Sequence, residues 1–116
     1  MSDENILDST AIENLRSLGD EDGDDSFLRE VIGIFVEDTP VRLRELHTSF
    51  AAKDQATFTR AAHSIKGSSS NVGAKELCKL AQELEAESRT SLDGLDRKIA
   101  GIEQAFERVK TALLAL

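Results

Sequence analysis

His63, Lys66 and Gly67 stand three and four residues apart in the run Ala61-Ala62-His63-Ser64-Ile65-Lys66-Gly67-Ser68-Ser69-Ser70. Imidazoles ordinarily titrate near neutrality, so an exposed histidine offers an unprotonated ring nitrogen as a nucleophile or base. A lysine ammonium one helical turn away would favour an anion held on that nitrogen. Glycine costs about 1 kcal/mol in a helix interior relative to alanine. Its presence beside the histidine points to a need for room. These residue types suit a histidine that accepts an anionic group while another protein's active site closes over it.

The elements that must carry this run are helical. A short helix is expected from Thr10 to Gly19, with Thr10 and Glu13 as a capping box. An acidic loop follows from Gly19 to Asp25, and Asp24 or Asp25 is placed to cap a long helix. That helix repeats Leu28, Ile32, Phe35, Thr39, Leu43, Leu46 and Phe50 at steps of three or four. Pro40 should kink it, yet the register continues through the proline. Asp54 is placed to cap a third helix that ends near Ser70 or Asn71, with Gly73 at the break. A fourth runs from about Ala74 to Ser91, with Leu77, Leu80, Ala81, Leu84 and Ser88 on one face. Asp93-Gly94 reads as a turn. The last spans about Leu95 to Ala115, with Ile99, Ile102, Phe106, Val109, Leu113 and Leu116 as its stripe. The expected fold is all-α: an antiparallel up-down four-helix bundle over residues 24–116, with a short extra helix and acidic loop in 1–23.

On the third helix Phe58, Ala61, Ala62 and Ile65 fall on one face, and His63 lies roughly 150° from their centre. It should face water. Arg60, Lys66, Gly67 and Ser70 are its neighbours at i−3, i+3, i+4 and i+7. On the flank of the fourth helix Cys78, Glu85 and Arg89 form a stripe. If the two helices pack side by side, Glu85 could accept a hydrogen bond from one imidazole nitrogen and leave the other free to attack. Blander roles stand beside these. A surface histidine can be simple solvated surface, Lys66 a solvated charge, and Gly67 a helix end. Glu85 can pair only with Arg89 at i,i+4, Cys78 can be a half-buried small hydrophobe, and His47 reads as structural.

Whole-chain properties narrow the function. The 116 residues carry a net charge of −8, with 40% apolar, 31% charged and 4% aromatic residues. That length suits one domain with one core. The negative charge disfavours nucleic acid and anionic membrane surfaces as partners. One cysteine allows no internal disulfide, and no apolar run is long enough to span a bilayer. The acidic start MSDENILD does not resemble a signal peptide. A cytoplasmic, free-standing monomer is the expectation. The acidic run Asp20–Asp25 lacks full EF-hand spacing and reads as a solvated loop. A helical-bundle metalloenzyme needs Glu-x-x-His pairs, and the residue three before His63 is Arg60.

His63-Ser-Ile-Lys66-Gly67, with Gly73 following, resembles the H-x-x-K-G…G signature of histidine-containing phosphotransfer domains. The flanking Arg60-Ala61-Ala62 and Ser68 to Ala74 look similar to the same family. So does Phe35 to Pro40 followed by Leu43 and Leu46, and so does Leu84-Glu85, at the spacing where the family orients the active imidazole. The resemblance covers about residues 24–115. It implies that His63 Nε2 takes a phosphoryl group from a receiver-domain aspartyl phosphate and passes it to another receiver. Lys66 would stabilise that group, Gly67 keep the surface open, and Glu85 orient the ring through Nδ1. Arg89 and Arg60 would add positive potential nearby. Ser70, by its place at i+7, is read as part of the partner-binding surface together with Arg60, Gly67 and Arg89. Many members carry glutamine where this chain has Glu85. The implied partners are receiver domains and a hybrid sensor kinase. The implied module is a phosphocarrier without a cofactor of its own, because Mg²⁺ would sit on the receiver. No Gly-rich phosphate loop or ATP-binding pattern occurs. The alternative is a helical adaptor that binds signalling partners without transferring phosphate.

Overall fold

A computed structural model describes residues 6–19 and 25–116. Five helices follow in order: α1 Ser9–Gly19, α2 Ser26–Ala52, α3 Gln55–Asn71, α4 Lys75–Ser88 and α5 Asp96–Leu114.

The helix ends explain the turns. Asp8, not Thr10, caps α1: its Oδ1 accepts from the Thr10 amide at 3.0 Å. Thr10 already lies inside the first turn, and Glu13 pairs with Arg16 instead of closing a capping box. Asp25 precedes α2 but makes no side-chain cap. Its carboxylate lies 3.6 Å from Arg16 Nε, which draws it toward α1. Asp24 and the rest of the acidic run 20–24 lie outside the described residues.

α2 continues unbroken for 27 residues through Pro40. Lys53 ends it in a left-handed conformation at φ 56°. The Lys53 amide donates to Phe50 O and the Asp54 amide to Ser49 O, which satisfies two otherwise orphaned carbonyls. Asp54 then caps α3 through the Thr57 amide at 3.1 Å, as its position predicts. Two residues therefore reverse the chain. The α3–α4 turn repeats the device with Gly73 at φ 71°, where the Ala74 amide donates to Ser69 O. Gly73 O also accepts from the Asp8 amide at 2.7 Å, so the segment before α1 docks on this turn.

Cross-helix pairs fix the topology. Gln55 meets Ser88 and His63 meets Glu85 across α3 and α4. Glu76 pairs with Arg108 and Glu87 with Lys98 across α4 and α5. Phe35 packs against Phe106 with tilted rings 5.6 Å apart, and His47 meets Glu103, across α2 and α5. In each case a later residue on one helix meets an earlier residue on the other, so the neighbours are antiparallel. With Phe50 against Phe58 joining α2 to α3, the four helices close into the expected bundle. Leu7 and Ile12 enter the same core as α2–α5.

Most stripe positions pack inward as their period requires. Several boundaries and burials differ. α4 starts at Lys75 and ends at Ser88, three residues before the expected Ser91, because the carbonyls of Ala86 and Glu87 close a tighter final turn. Phe50 and Leu80 are only half-buried, and Leu116 lies beyond the last helix, exposed. Ser49, beside Phe50, takes the buried place in α2. His47 plays its structural part at the surface: its ring is mostly exposed, with Nε2 3.1 Å from Glu103 Oε2 of α5. Cys78 is half-buried, as expected. Among the described residues, no helix is long and apolar enough to cross a membrane.

Candidate functional site

α3 buries Phe58, Ala61, Ala62 and Ile65 and turns His63 outward, with 63% of its side chain exposed. One face packs because apolar side chains recur on the helical period, and His63 falls opposite them. Gly67 follows one turn later. A Cβ built there would meet nothing within 4 Å, so folding itself does not require a glycine. The space is free for something outside the chain.

The ring is held from α4. Glu85 Oε2 lies 2.9 Å from His63 Nδ1. An ionised carboxylate only accepts hydrogen bonds, so Nδ1–H donates and the neutral ring leaves its lone pair on Nε2. The sequence places Glu85 on the flank of α4, but its side chain is only 5% exposed. Burying a carboxylate is costly unless donors surround it. Three do. Lys66 Nζ lies 2.8 Å from Oε1, and Arg89 donates to Oε2 at 2.8 Å beside the imidazole. The Lys66 hydrogen bond, foremost, and the His63 hydrogen bond hold the Glu85 carboxyl below the usual carboxylate range, against the opposing effect of burial. Glu85 is thus ionised at neutral pH. Two cations face one carboxylate, so the group around the imidazole keeps a net positive charge.

The structure brings His63, Lys66, Glu85 and Arg89 together and sets Gly67 one turn away on the same face. The two readings of Glu85 prove compatible, since it bonds both the imidazole and Arg89. Arg60 is exposed and borders an open groove of about 530 Å³ together with Gln55, Thr59, His63, Glu85 and Arg89. Ser70 is also exposed but lines a different hollow, with Asp8, Lys75 and Cys78. Among the described residues no group of three His, Cys, Asp or Glu side chains gathers as metal ligands.

Two features escaped the sequence reading. Lys66 spends its charge on Glu85 rather than projecting freely into solvent. Its position at i+3, on the side of α3 that turns toward α4, was the available signal. Thr59 and Ser88 also form a polar link between α3 and α4 beneath the site. The signal there was a serine in the Leu77, Ala81, Leu84 stripe, where an apolar residue was due.

Comparison with known proteins places the fold in a family. The Hpt domain family model matches residues 30–112. The crystal structure of histidine-containing phosphotransfer protein B (HptB) from Pseudomonas aeruginosa PAO1 is 31% identical with a TM-score of 0.85, covering 94% of this chain and 91% of that one. The HPT domain of a sensor hybrid histidine kinase from Shewanella shares the fold, with a TM-score of 0.76, 18% identity, and coverage of 96% of this chain and 92% of that one. No curated protein matches the sequence. With the family signature spread over α2 to α5, and an exposed histidine seated on a buried carboxylate, the chain belongs to the Hpt domain family.

Proposed function

We propose that His63 is the phosphoryl-carrying residue of this histidine phosphotransfer module in a two-component phosphorelay. The observation that carries the reading is the 2.9 Å bond from Nδ1 to buried Glu85, which leaves Nε2 free on the exposed edge of the ring. The Nε2 lone pair attacks the phosphorus of a receiver's aspartyl phosphate. The P–O bond to the aspartate breaks and its carboxylate leaves with the bonding electrons. The ring, now carrying Nε2–P and Nδ1–H, is cationic, and the Glu85 carboxylate stabilises that charge. Transfer to a second receiver runs the same steps in reverse.

Lys66 and Arg89 anchor Glu85 and supply the positive field for the phosphoryl oxygens. The open space over Gly67 admits the receiver's active site, and Arg60 borders the same face. Mg²⁺ belongs to the receiver, and this chain needs no cofactor. Receiver domains and a hybrid sensor kinase are the partners, the protein acts as a monomer, and the cytoplasm is its compartment.

The test incubates the chain with phosphorylated receiver domains and follows the acid-labile, base-stable phosphate expected of a phosphohistidine. The unmodified chain should be labelled and His63→Gln should not, with its helical spectrum unchanged. Equal labelling of both proteins would remove His63 from the assignment. Receiver binding with no labelling of the unmodified chain would instead favour an adaptor.

A further inference from the structure

One turn below the His63–Glu85 bond, α3 and α4 are tied a second time. Thr59 Oγ1 lies 2.7 Å from Ser88 Oγ, and Gln55 Nε2 donates to Ser88 O at 2.6 Å. Ser88 Oγ also lies 2.8 Å from the Glu85 carbonyl. A serine hydroxyl has one proton, and a carbonyl can only accept. Ser88 therefore donates to Glu85 O, and Thr59 must donate to Ser88 Oγ. The chain of bonds runs from the α3 backbone segment that carries His63, through two hydroxyls, into the backbone of Glu85 itself.

Its location gives it leverage. Thr59 precedes His63 by four residues and Ser88 follows Glu85 by three, so in an antiparallel pair the two contacts share one seam. Ser88 is fully buried. An alanine there would fill nearly the same volume without a hydroxyl to desolvate. Both helices also bury small apolar residues, such as Ala62 on α3 and Ala81 on α4, and apolar attraction is non-directional and tolerates sliding. Hydrogen bonds do not tolerate it: a shift of about 1 Å would break a bond of normal length.

We propose that Thr59 and Ser88, with Gln55, are positioning residues for phosphotransfer, holding the register of α3 on α4 at which His63 Nδ1 meets Glu85. The proposal rests on the phosphotransfer reading above and deepens it. None of the three hydrogen-bonds the His63 ring.

The experiment uses the full chain with Thr59→Val, Thr59→Ser, Ser88→Ala and the Thr59→Val/Ser88→Ala double variant. Two quantities are read well below each melting temperature: the rate of phosphoryl transfer from a phosphorylated receiver, and the ring ¹⁵N spectrum of His63. Thr59→Val and Ser88→Ala should slow transfer by about two- to tenfold, the range that one hydrogen bond's net worth converts to. The double variant should be no slower than the worse single one, because both remove the same bond. Thr59→Ser, which keeps the hydroxyl, should recover most of the loss. The ¹⁵N shifts of the slowed variants should move from a single Nδ1–H tautomer toward a mixture. A purely structural role would lower the melting temperature and leave the tautomer in place. Unchanged ring shifts, or a rate that follows only the folded fraction, would overturn the proposal. An unmodified chain that takes no phosphoryl group would sink the phosphotransfer reading, and that failure is visible before any substitution is made.

Discussion

Glu85, with a side chain 5% exposed, reaches out of the α3–α4 seam to hold Nδ1 of His63, whose own side chain is 63% exposed. The acceptor of the bond is fixed in the fold and the donor is offered to solvent. Restraint and accessibility are thereby divided between two helices. Lys66 and Arg89 bond the same carboxylate, so the orienting group is itself held in place.

Substitutions at Glu85 should separate orientation from charge. Glu85→Gln keeps an oxygen for Nδ1–H but loses the charge that balances the phosphorylated ring. Transfer should slow by about three- to tenfold, as for one weakened hydrogen bond. Glu85→Ala removes both functions and frees the ring to rotate, and about 100-fold is expected from lost alignment. Stopped-flow transfer from a phosphorylated receiver measures both, and equal rates for the two variants would contradict this division of roles.

The same carboxylate makes stability depend on pH. Its folded pKa is lowered, first by the Lys66 hydrogen bond. The unfolded group titrates near ~4.3. A lowered folded pKa contributes stability that is fully present above the unfolded value and is lost as pH falls through the folded one. Urea unfolding from pH 7 downward should therefore show the unmodified chain losing stability below about pH 5 more steeply than Glu85→Gln. Parallel curves for the two proteins would show that Glu85 is not the group responsible.

Gly67 should divide folding from function. Nothing lies within 4 Å of a Cβ placed there. Gly67→Ala should therefore stabilise the chain by up to about 1 kcal/mol through helix propensity. Larger side chains such as leucine should fold equally well yet slow transfer progressively, by obstructing the receiver. Thermal melts beside transfer rates test this, and a leucine variant with unaltered transfer would mean the docking face lies elsewhere.

Gly73 should show the opposite pattern. Its φ is 71°, and a Cβ would come within 2.9 Å of Ala11 Cβ and 3.1 Å of Asp8 O. A left-handed conformation alone costs an L-residue about 1–2 kcal/mol. The contact with the α1 segment adds to that, because the Asp8 backbone cannot move away without losing its bond to Gly73 O. Gly73→Ala should lower unfolding free energy by at least that amount in urea titration. A variant as stable as the unmodified chain would contradict the observed turn.

Much of this was legible in the chain. Leu28, Ile32, Phe35, Leu43 and Leu46 pointed inward from periodicity alone, and so did Ala61, Ala62 and Ile65. The α2–α3 turn could be read from Asp54, and the α3–α4 turn from Gly73. Helix ends were less legible. Asp8 displaced Thr10 as the cap of α1, and Arg16 drew the Asp25 carboxylate away from α2. Both outcomes depend on competition among nearby polar groups, which a pattern of types does not rank. His47 read as structural because it adjoins Leu46, and it does link α2 to α5 through Glu103, from the surface rather than the core.

The sequence by itself determined the exposure of His63, because facing is a local consequence of 3.6 residues per turn and needs no knowledge of neighbouring helices. Through the family signature it also pointed to the class of chemistry. Tertiary structure alone decided that Glu85 would be buried, that Lys66 would bond it, and that Thr59 would meet Ser88. Those pairs are 19 to 29 residues apart in the chain. Whether they touch depends on the axial rotation and sliding of α4 against α3. That register is settled only when the whole bundle packs.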